Sequence, residues 1–287
     1  GDCLVRVVSG KTKSRVSARV SEELSQQGYA LACQTVALSD VKVQLPQFEE
    51  ASIRSIIEST FLREHKDQIS GVIEIDPLVK KRELVLLPAS LEDNAGDLKR
   101  IQRELQKNWR VSEVTCEYSA LKKMARAIRE EGGRLTAILF QRGPAASIID
   151  IEPGVWTKPF LGLACDLGTT TVAAHLVNLE DGEIVASSSS FNQQLKCGED
   201  IISRINYARK PEKLEELQIL AVATINNLVD RLCSQAGVET SAIYLASLAG
   251  NTTMIHLLLG LDPRFIREEP YVPTVNQVPF LPSHNLG

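Results

Sequence analysis

The stretch that most restricts this chain begins at residue 161. An apolar run over 161–165 ends in Asp166-Leu167-Gly168-Thr169-Thr170-Thr171, and a second run over 172–177 follows at once. The second run reaches the turn Glu180-Asp181-Gly182, and a third covers 183–188. Asp-Gly between alternating runs is a strong hairpin signal, so three strands joined by tight turns are predicted. An amphipathic segment over 199–208 and a long helix over 211–235 come next. Leu214, Leu217, Ala221, Ile225, Leu228 and Leu232 form one stripe of that helix, with Pro211 at its start and Gly237 past its end. A further strand is predicted at 243–248, and Gly250-Asn251-Thr252-Thr253 leads into an apolar helix that stops at Gly260. The tail, with Pro263, Pro270, Pro273, Pro279 and Pro282, is expected to be extended.

Two turns in this order have the chemistry to meet an anion. Gly168 has no Cβ, so backbone N–H groups there can approach a phosphate closely, and Thr169, Thr170 and Thr171 add hydroxyl donors. Asp166, at the strand end, can hold a hydrated Mg²⁺ that bridges phosphates. The plainer reading is a hairpin whose threonines suit strands. The Gly250-Asn251-Thr252-Thr253 turn reads either as a second phosphate loop or as an ordinary helix cap by Asn251 or Thr252. Glu199 and Asp200, before a helix, serve either its N-terminus or a magnesium or partner-docking role.

Upstream the texture differs. Residues 1–46 read as β-rich, with Leu4-Val5-Arg6-Val7-Val8 and Val41-Lys42-Val43-Gln44-Leu45 as strands and a short helical turn capped by Ser21. Residues 47–75 read as a linker. Residues 76–155 read as a small α/β region: a strand at 84–87, a helix at 97–109, a second helix stopped by Gly132-Gly133, then strands at 135–140 and 148–151. The first helix puts Leu98, Ile101, Leu105 and Trp109 on one face, and the second Leu121, Met124, Ala125 and Ile128. Trp109, Met124 and Cys116 are expected in a core; His175 and His256 are expected to be structural.

Bulk properties exclude several classes. The chain has 287 residues, 44% hydrophobic and 24% charged, enough for two or three domains. A net charge of -4 with no lysine- and arginine-rich tract argues against a nucleic-acid partner. No apolar run is long enough to span a bilayer and no leader opens the chain, so a cytoplasmic protein is expected. Six cysteines scattered over such a chain read as reduced thiols or metal ligands rather than a disulfide framework. Two of them, Cys3 and Cys33, are spaced like the third and fourth ligands of a plant-type 2Fe–2S ferredoxin; isolated cysteines are otherwise unremarkable.

The order of strand, DLGTTT turn, strand, DG turn, strand and helix is similar to the N-terminal half of the actin, sugar-kinase and DnaK-type ATPase fold. Together with Gly28–Thr35, Asn192-Gln193, Gly198–Ile205 and Gly250–Met254, it makes the chain resemble the reductive activators of corrinoid proteins. The resemblance implies an α/β and α+β multidomain chain. Its parts would be the end of a β-grasp ferredoxin (1–46), a linker (47–75), a middle α/β domain (76–155) and half of an actin-like, RNase H-like ATPase domain (156–287). It implies an enzyme that passes an electron from a 2Fe–2S cluster to the Co(II) corrinoid of a methyltransferase system at the expense of ATP and Mg²⁺. Cys3 and Cys33 would ligate the cluster, Asp166 and Gly168 to Thr171 would form the first phosphate loop, and Gly250, Asn251 and Thr252 the second. An upstream electron donor and the corrinoid protein are the implied partners. The other two cluster ligands and the second half of the nucleotide site are expected outside this sequence, which as given is expected to be inactive. Two rivals stand beside this reading: an electron carrier whose ATPase-like part only docks a partner, and a small-molecule kinase of the same fold.

Overall fold

A computed structural model describes residues 4–14, 27–32, 35–44 and 75–286. The chain divides into two units, 1–64 and 65–287. The expected helical turn at Ser21 and the linker residues 47–74 lie outside the described residues.

In the first unit, β1 (Leu4–Ser9) is the centre of a three-stranded antiparallel sheet, flanked by β3 (Tyr29–Leu31) and β5 (Lys42–Gln44). β2 (Thr12–Ser14) and β4 (Thr35–Ala37) pair separately. Both expected strands are present. Val5 and Ala30, opposite one another, are buried.

The second unit contains two four-stranded sheets of mixed orientation. In the first, β6 (Val79–Val85), β8 (Arg134–Arg142), β9 (Ala145–Pro153) and β7 (Glu113–Cys116) lie in that order, with β7 and β9 parallel. Two helices, α1 (Asp97–Trp109) and α2 (Tyr118–Glu130), bury Ile101, Leu105, Met124 and Ile128 with Leu135, Ala137 and Leu139 of β8. The intervening residue Ile138 points the other way, as the twofold period of a strand requires. There it meets Val79, Trp156 and Phe160 in a separate cluster that also touches Tyr244 and Leu245. β8 is thus apolar on both faces, which explains its unbroken Ala137–Phe140 hydrophobic run.

Three expectations here need correction. The strand placed at 84–87 starts earlier, at Val79, because Lys80, Lys81, Arg82 and Glu83 hide it from a hydrophobicity reading. These charges suit an edge strand: Lys81 pairs with Glu180 at 2.6 Å and lies over the Phe160 ring. Trp109 is not a core residue. It is 37% exposed at the end of α1, where Arg82 stacks on its ring at 4.4 Å. On α2, Leu121 and Ala125 are exposed; the buried stripe is Ala120, Met124, Ala127 and Ile128, a small rotation of the expected face.

The second sheet runs β12 (Ile184–Phe191), β11 (Thr171–Asn178), β10 (Leu161–Leu167), β13 (Ile243–Gly250). The three predicted strands are there and antiparallel, while β13 joins β10 in parallel. The 26-residue helix α4 (Pro211–Ala236) covers one face. Leu217, Ala221, Leu228 and Leu232 pack on Leu163, Cys165, Leu167, Val172, Ala174 and Leu176. The remaining α-helices are α3 (Ile201–Tyr207), α5 (Thr252–Leu258) and the short α6 (Arg264–Arg267), which, with a 3₁₀ turn at Ser283–Asn285, interrupts the tail that was expected to be extended. No helix of the described residues is long and apolar enough to cross a membrane.

Gly133 joins α2 to β8 at φ +94°, and a Cβ there would sit 2.2 Å from the Leu86 carbonyl oxygen. Gly132 is also at positive φ, but nothing lies within 4 Å of its missing Cβ. Gly133→Ala is therefore expected to cost on the order of 3 kcal/mol, and Gly132→Ala about 1 kcal/mol. Urea denaturation of the two variants checks the order; equal losses would contradict the close approach.

Candidate functional site

The parallel pairing of β10 with β13 sets Asp166 beside Ala249 and Leu167 beside Gly250. Both strands end at the same edge, so the turn after β10 and the turn after β13 emerge side by side. Carboxyl ends of adjacent parallel strands are where open α/β sheets gather ligands. Gly250 makes the approach possible, because a Cβ on it would lie 3.0 Å from the Leu167 carbonyl oxygen. The two turns are bonded to one another: the Asn251 amide donates to the Thr169 hydroxyl at 3.2 Å. Asn251 also caps α5, its side-chain oxygen accepting from the Met254 N–H at 3.0 Å. This one residue thus caps a helix and ties the two turns together.

Along β10 the odd positions face α4 and the even ones face away, which leaves Asp166 exposed. Its cross-strand neighbours are Ala173 and Ala249, whose side chains are too short to crowd its carboxylate. Next to it Cys165 is buried, and burial, with the Asp166 charge a smaller influence, pushes its thiol up to about 12. Burial likewise raises the thiols of Cys116 and Cys233. Such thiols are poor nucleophiles and poor metal ligands. Among the described residues, no cluster of three or more His, Cys, Asp or Glu side chains is suited to a metal ion.

The Gly168–Thr170 turn is gripped from behind through three consecutive carbonyls. The Gly168 oxygen accepts from the Asn192 amide at 2.9 Å, that of Thr169 from Arg204 Nη2 at 2.6 Å, and that of Thr170 from the Asn192 N–H at 2.8 Å. In a trans peptide the C=O of one residue and the N–H of the next point in opposite directions. Carbonyls turned inward at Gly168 and Thr169 therefore turn the N–H groups of Thr169 and Thr170 outward, away from the side chains that grip the turn. Two successive outward N–H groups form a concavity suited to an anion. Gly168 is needed for the turn itself, since a Cβ there would lie 2.4 Å from the Thr171 carbonyl oxygen.

Asn192 and Arg204 are fully buried. Asn192 accepts from the Gln194 N–H at 3.0 Å, and the Gln194 amide donates to the Leu217 carbonyl at 2.8 Å, which anchors the grip to α4. Neither residue was assigned a role from sequence. The signal was there, in the Asn192-Gln193 and Gly198–Ile205 blocks, but long polar side chains read as surface until burial is known.

Of the other expected site residues, Thr171 opens β11 and pairs with Phe191, and Thr252 offers its carbonyl to His256 Nδ1 at 2.8 Å. His256 is buried and accepts from the Thr274 N–H at 3.1 Å through Nε2, a structural tie between helix and tail. His175 lies against the Ser187 hydroxyl at 2.7 Å, and burial lowers its pKa. Asp200 caps α3, accepting from the Ser203 N–H at 2.8 Å and its hydroxyl at 3.0 Å. Cys3 and Cys33 lie outside the described residues.

The arrangement defines an α/β protein with two bonded turns at the carboxyl edge of a parallel strand pair. Two family models match the chain: one described as the RACo linker region matches residues 69–158, and one described as the RACo middle region matches residues 161–287, which include the site. The chain belongs to this family of reductive activators of corrinoid proteins. It is 32% identical over 160 residues to the corrinoid activation enzyme RamQ of Eubacterium limosum, an alignment covering 55% of this chain and 26% of that protein. A solved structure named reductive activator for corrinoid, iron-sulfur protein matches all of this chain at 33% identity and a TM-score of 0.70, over 46% of its own length. The chain thus spans less than half the length of either relative. The region the family describes as a linker contains a folded sheet with two helices and a core of its own.

Two expectations follow from the geometry. Gly168→Ala is expected to distort the cradle while leaving the α4 core intact, seen as an unchanged far-UV circular dichroism spectrum with altered amide shifts at Thr169 and Thr170. The Asp200 carboxyl is held below the ordinary range by the Ser203 N–H and hydroxyl. A depressed folded pKa stabilises above the unfolded value, about 4, and the gain is lost as pH falls through the folded pKa. Asp200→Ala should therefore lower Tm at pH 7, with the difference from wild type shrinking toward pH 2.

Proposed function

We propose that this chain is part of an ATP-dependent reductive activator, in which nucleotide is held at the cradle and an electron is passed to the Co(II) corrinoid of a partner protein. The observation that carries the reading is the bonded pair of turns, Gly168–Thr170 and Gly250–Asn251, beside the exposed carboxylate of Asp166. The named activity of the relatives, corrinoid activation and reductive activation, supports the class of reaction. In this reading 156–287 forms one half of an actin-like ATPase domain and 76–155 the middle domain, while 1–46 is the end of a 2Fe–2S ferredoxin with Cys3 and Cys33 as ligands.

The residues at the cradle fit a magnesium-bound phosphate chain. Asp166 would hold the hydrated metal, and the N–H groups of Thr169 and Thr170 would face phosphate oxygens. Asn251 would keep the second turn, with Thr252, in register with the first. When bound, Mg-ATP supplies the free energy that a low-potential cobalt couple requires. The protein's part is to hold these donors before the nucleotide arrives, so that charge developing in phosphoryl transfer meets groups already in place.

Asp166→Ala and Cys33→Ser separate the two halves of the proposal when made in the natural protein. Asp166→Ala is expected to leave any 2Fe–2S absorption unchanged and to lower ATP-dependent reduction of Co(II) corrinoid by a factor of about 10²–10³, the scale of losing one electrostatic element. Cys33→Ser is expected to remove the ferredoxin-type absorption while ATP turnover persists. Full ATP stimulation in Asp166→Ala would favour a docking role for this region.

A further inference from the structure

One side chain at this site has no place in the reading above. Arg204, on α3, is fully buried, and the four partners that its guanidinium meets among the described residues are uncharged. Nε donates to the Gly198 carbonyl at 2.8 Å and Nη2 to the Thr169 carbonyl at 2.6 Å. Nη1 lies 3.1 Å from the Gln194 side-chain oxygen and 3.2 Å from the Met254 sulfur. Burial disfavours its charge; the groups that act against this are Cys197 and then Asp200, whose carboxylate is bonded to the N–H and hydroxyl of Ser203. A buried cation without an ion-pair partner is costly, and a guanidinium does not escape the cost by losing its proton.

These four bonds converge on the cradle. Thr169 belongs to the first turn, and Met254 lies in α5 directly behind the second. Gln194 and Gly198 lie in the segment between β12 and α3 that also supplies Asn192. One planar group therefore touches all three segments that shape the site. By holding the Thr169 carbonyl inward, it also determines which way the Thr170 N–H faces. An anion bound at that N–H would lie across one peptide from a buried positive charge whose bonded partners are neutral, and would offset part of the cost of burying it.

We propose that Arg204 is the positioning residue of the phosphate site. It orients the Thr169–Thr170 peptide toward bound phosphate, locks both turns to α3, and supplies the positive charge behind them. The proposal rests on the reading that the cradle binds the phosphates of a nucleotide. Lysine keeps the charge but not the planar fork, and cannot reach four spread acceptors at once. Glutamine removes the charge.

The test measures Mg-ATP turnover in the natural protein for wild type, Arg204→Lys and Arg204→Gln, with Gly168→Ala as a variant of the cradle itself. Hydrogen bonds from charged groups to neutral ones set the scale, about tenfold to a hundredfold each. Arg204→Lys is expected to raise KM for Mg-ATP about tenfold with kcat changed less than threefold, and Arg204→Gln to raise KM about a hundredfold. Tripolyphosphate should compete with ATP in wild type and lose potency in the same order. A lower Tm with unchanged KM and unchanged tripolyphosphate potency in Arg204→Lys would make Arg204 a structural residue and overturn the proposal. If Arg204→Gln does not fold, Arg204→Lys decides by itself. A fall in kcat at constant KM would also overturn it. If Gly168→Ala leaves KM and tripolyphosphate potency at wild-type values, the phosphate-site reading fails, and the role of Arg204 falls with it. If Gly168→Ala raises KM and Arg204→Lys does not, only the Arg204 proposal fails.

Discussion

The parallel ladder between β10 and β13 is the interaction on which the site depends. The two strands are far apart in sequence, and only their pairing brings the turn after Leu167 against the turn after Gly250. A parallel ladder cannot be closed by a hairpin and needs a long crossover. Here the crossover holds β11, β12, α3 and α4, so the segment that makes the connection also supplies Asn192, Gln194 and Arg204. Connection and grip are one stretch of chain. A slip of one residue in this ladder would turn Asp166 toward α4 and bury its carboxylate without a partner.

The polar web behind the cradle has no slack. Asn192 uses its amide and its backbone N–H on the carbonyls of Gly168 and Thr170, either side of the one held by Arg204, and its side-chain oxygen on Gln194. Gln194 in turn bonds to the α4 backbone and accepts from Arg204. Buried polar groups satisfied in this way specify a single arrangement, because every alternative leaves one of them unpaired. The apolar stripe of α4 supplies cohesion but little direction, since many registers of leucine on leucine are nearly equal in energy. Directional bonds choose among them.

The two sheets of the second unit share a boundary of mixed character. Trp156 and Phe160 meet Tyr244 of β13 at ring centroid separations of 5.8 and 5.4 Å. The Tyr244 hydroxyl donates to Asp150 of β9 at 3.3 Å, and its phenol pKa is raised by burial and by that carboxylate. Lys123 joins Asp150 at 2.7 Å. The edge strand that carries the second turn is thereby braced against the neighbouring sheet, so the position of Gly250 is set from both sides.

Much of the local structure was legible before any fold was known. The order of strands after residue 161, the stripe and caps of α4, and the turns at Gly182 and Gly237 followed from hydrophobic period and turn chemistry, which act over a few residues. Asp166, Gly168 and the Gly250–Thr253 turn were legible as candidates because glycine and acidic residues at strand ends have few purely local reasons to be there. Residues whose role depends on distant partners were not legible. Lys81 and Arg82 made a strand look like a loop, and Trp109 looked like core because its sequence neighbours did not reveal that Arg82 would stack on it. Arg204 is the clearest case. A charged side chain on a short amphipathic helix has a surface position as its local optimum, and only the tertiary structure, which brings the carbonyls of Thr169 and Gly198 within reach, makes a buried position favourable. Sequence by itself determined which segments become strands, helices and turns, because those are short-range choices. The meeting of two turns and the cation behind them was decided by tertiary structure alone, because burial and parallel pairing are properties of the whole packed chain.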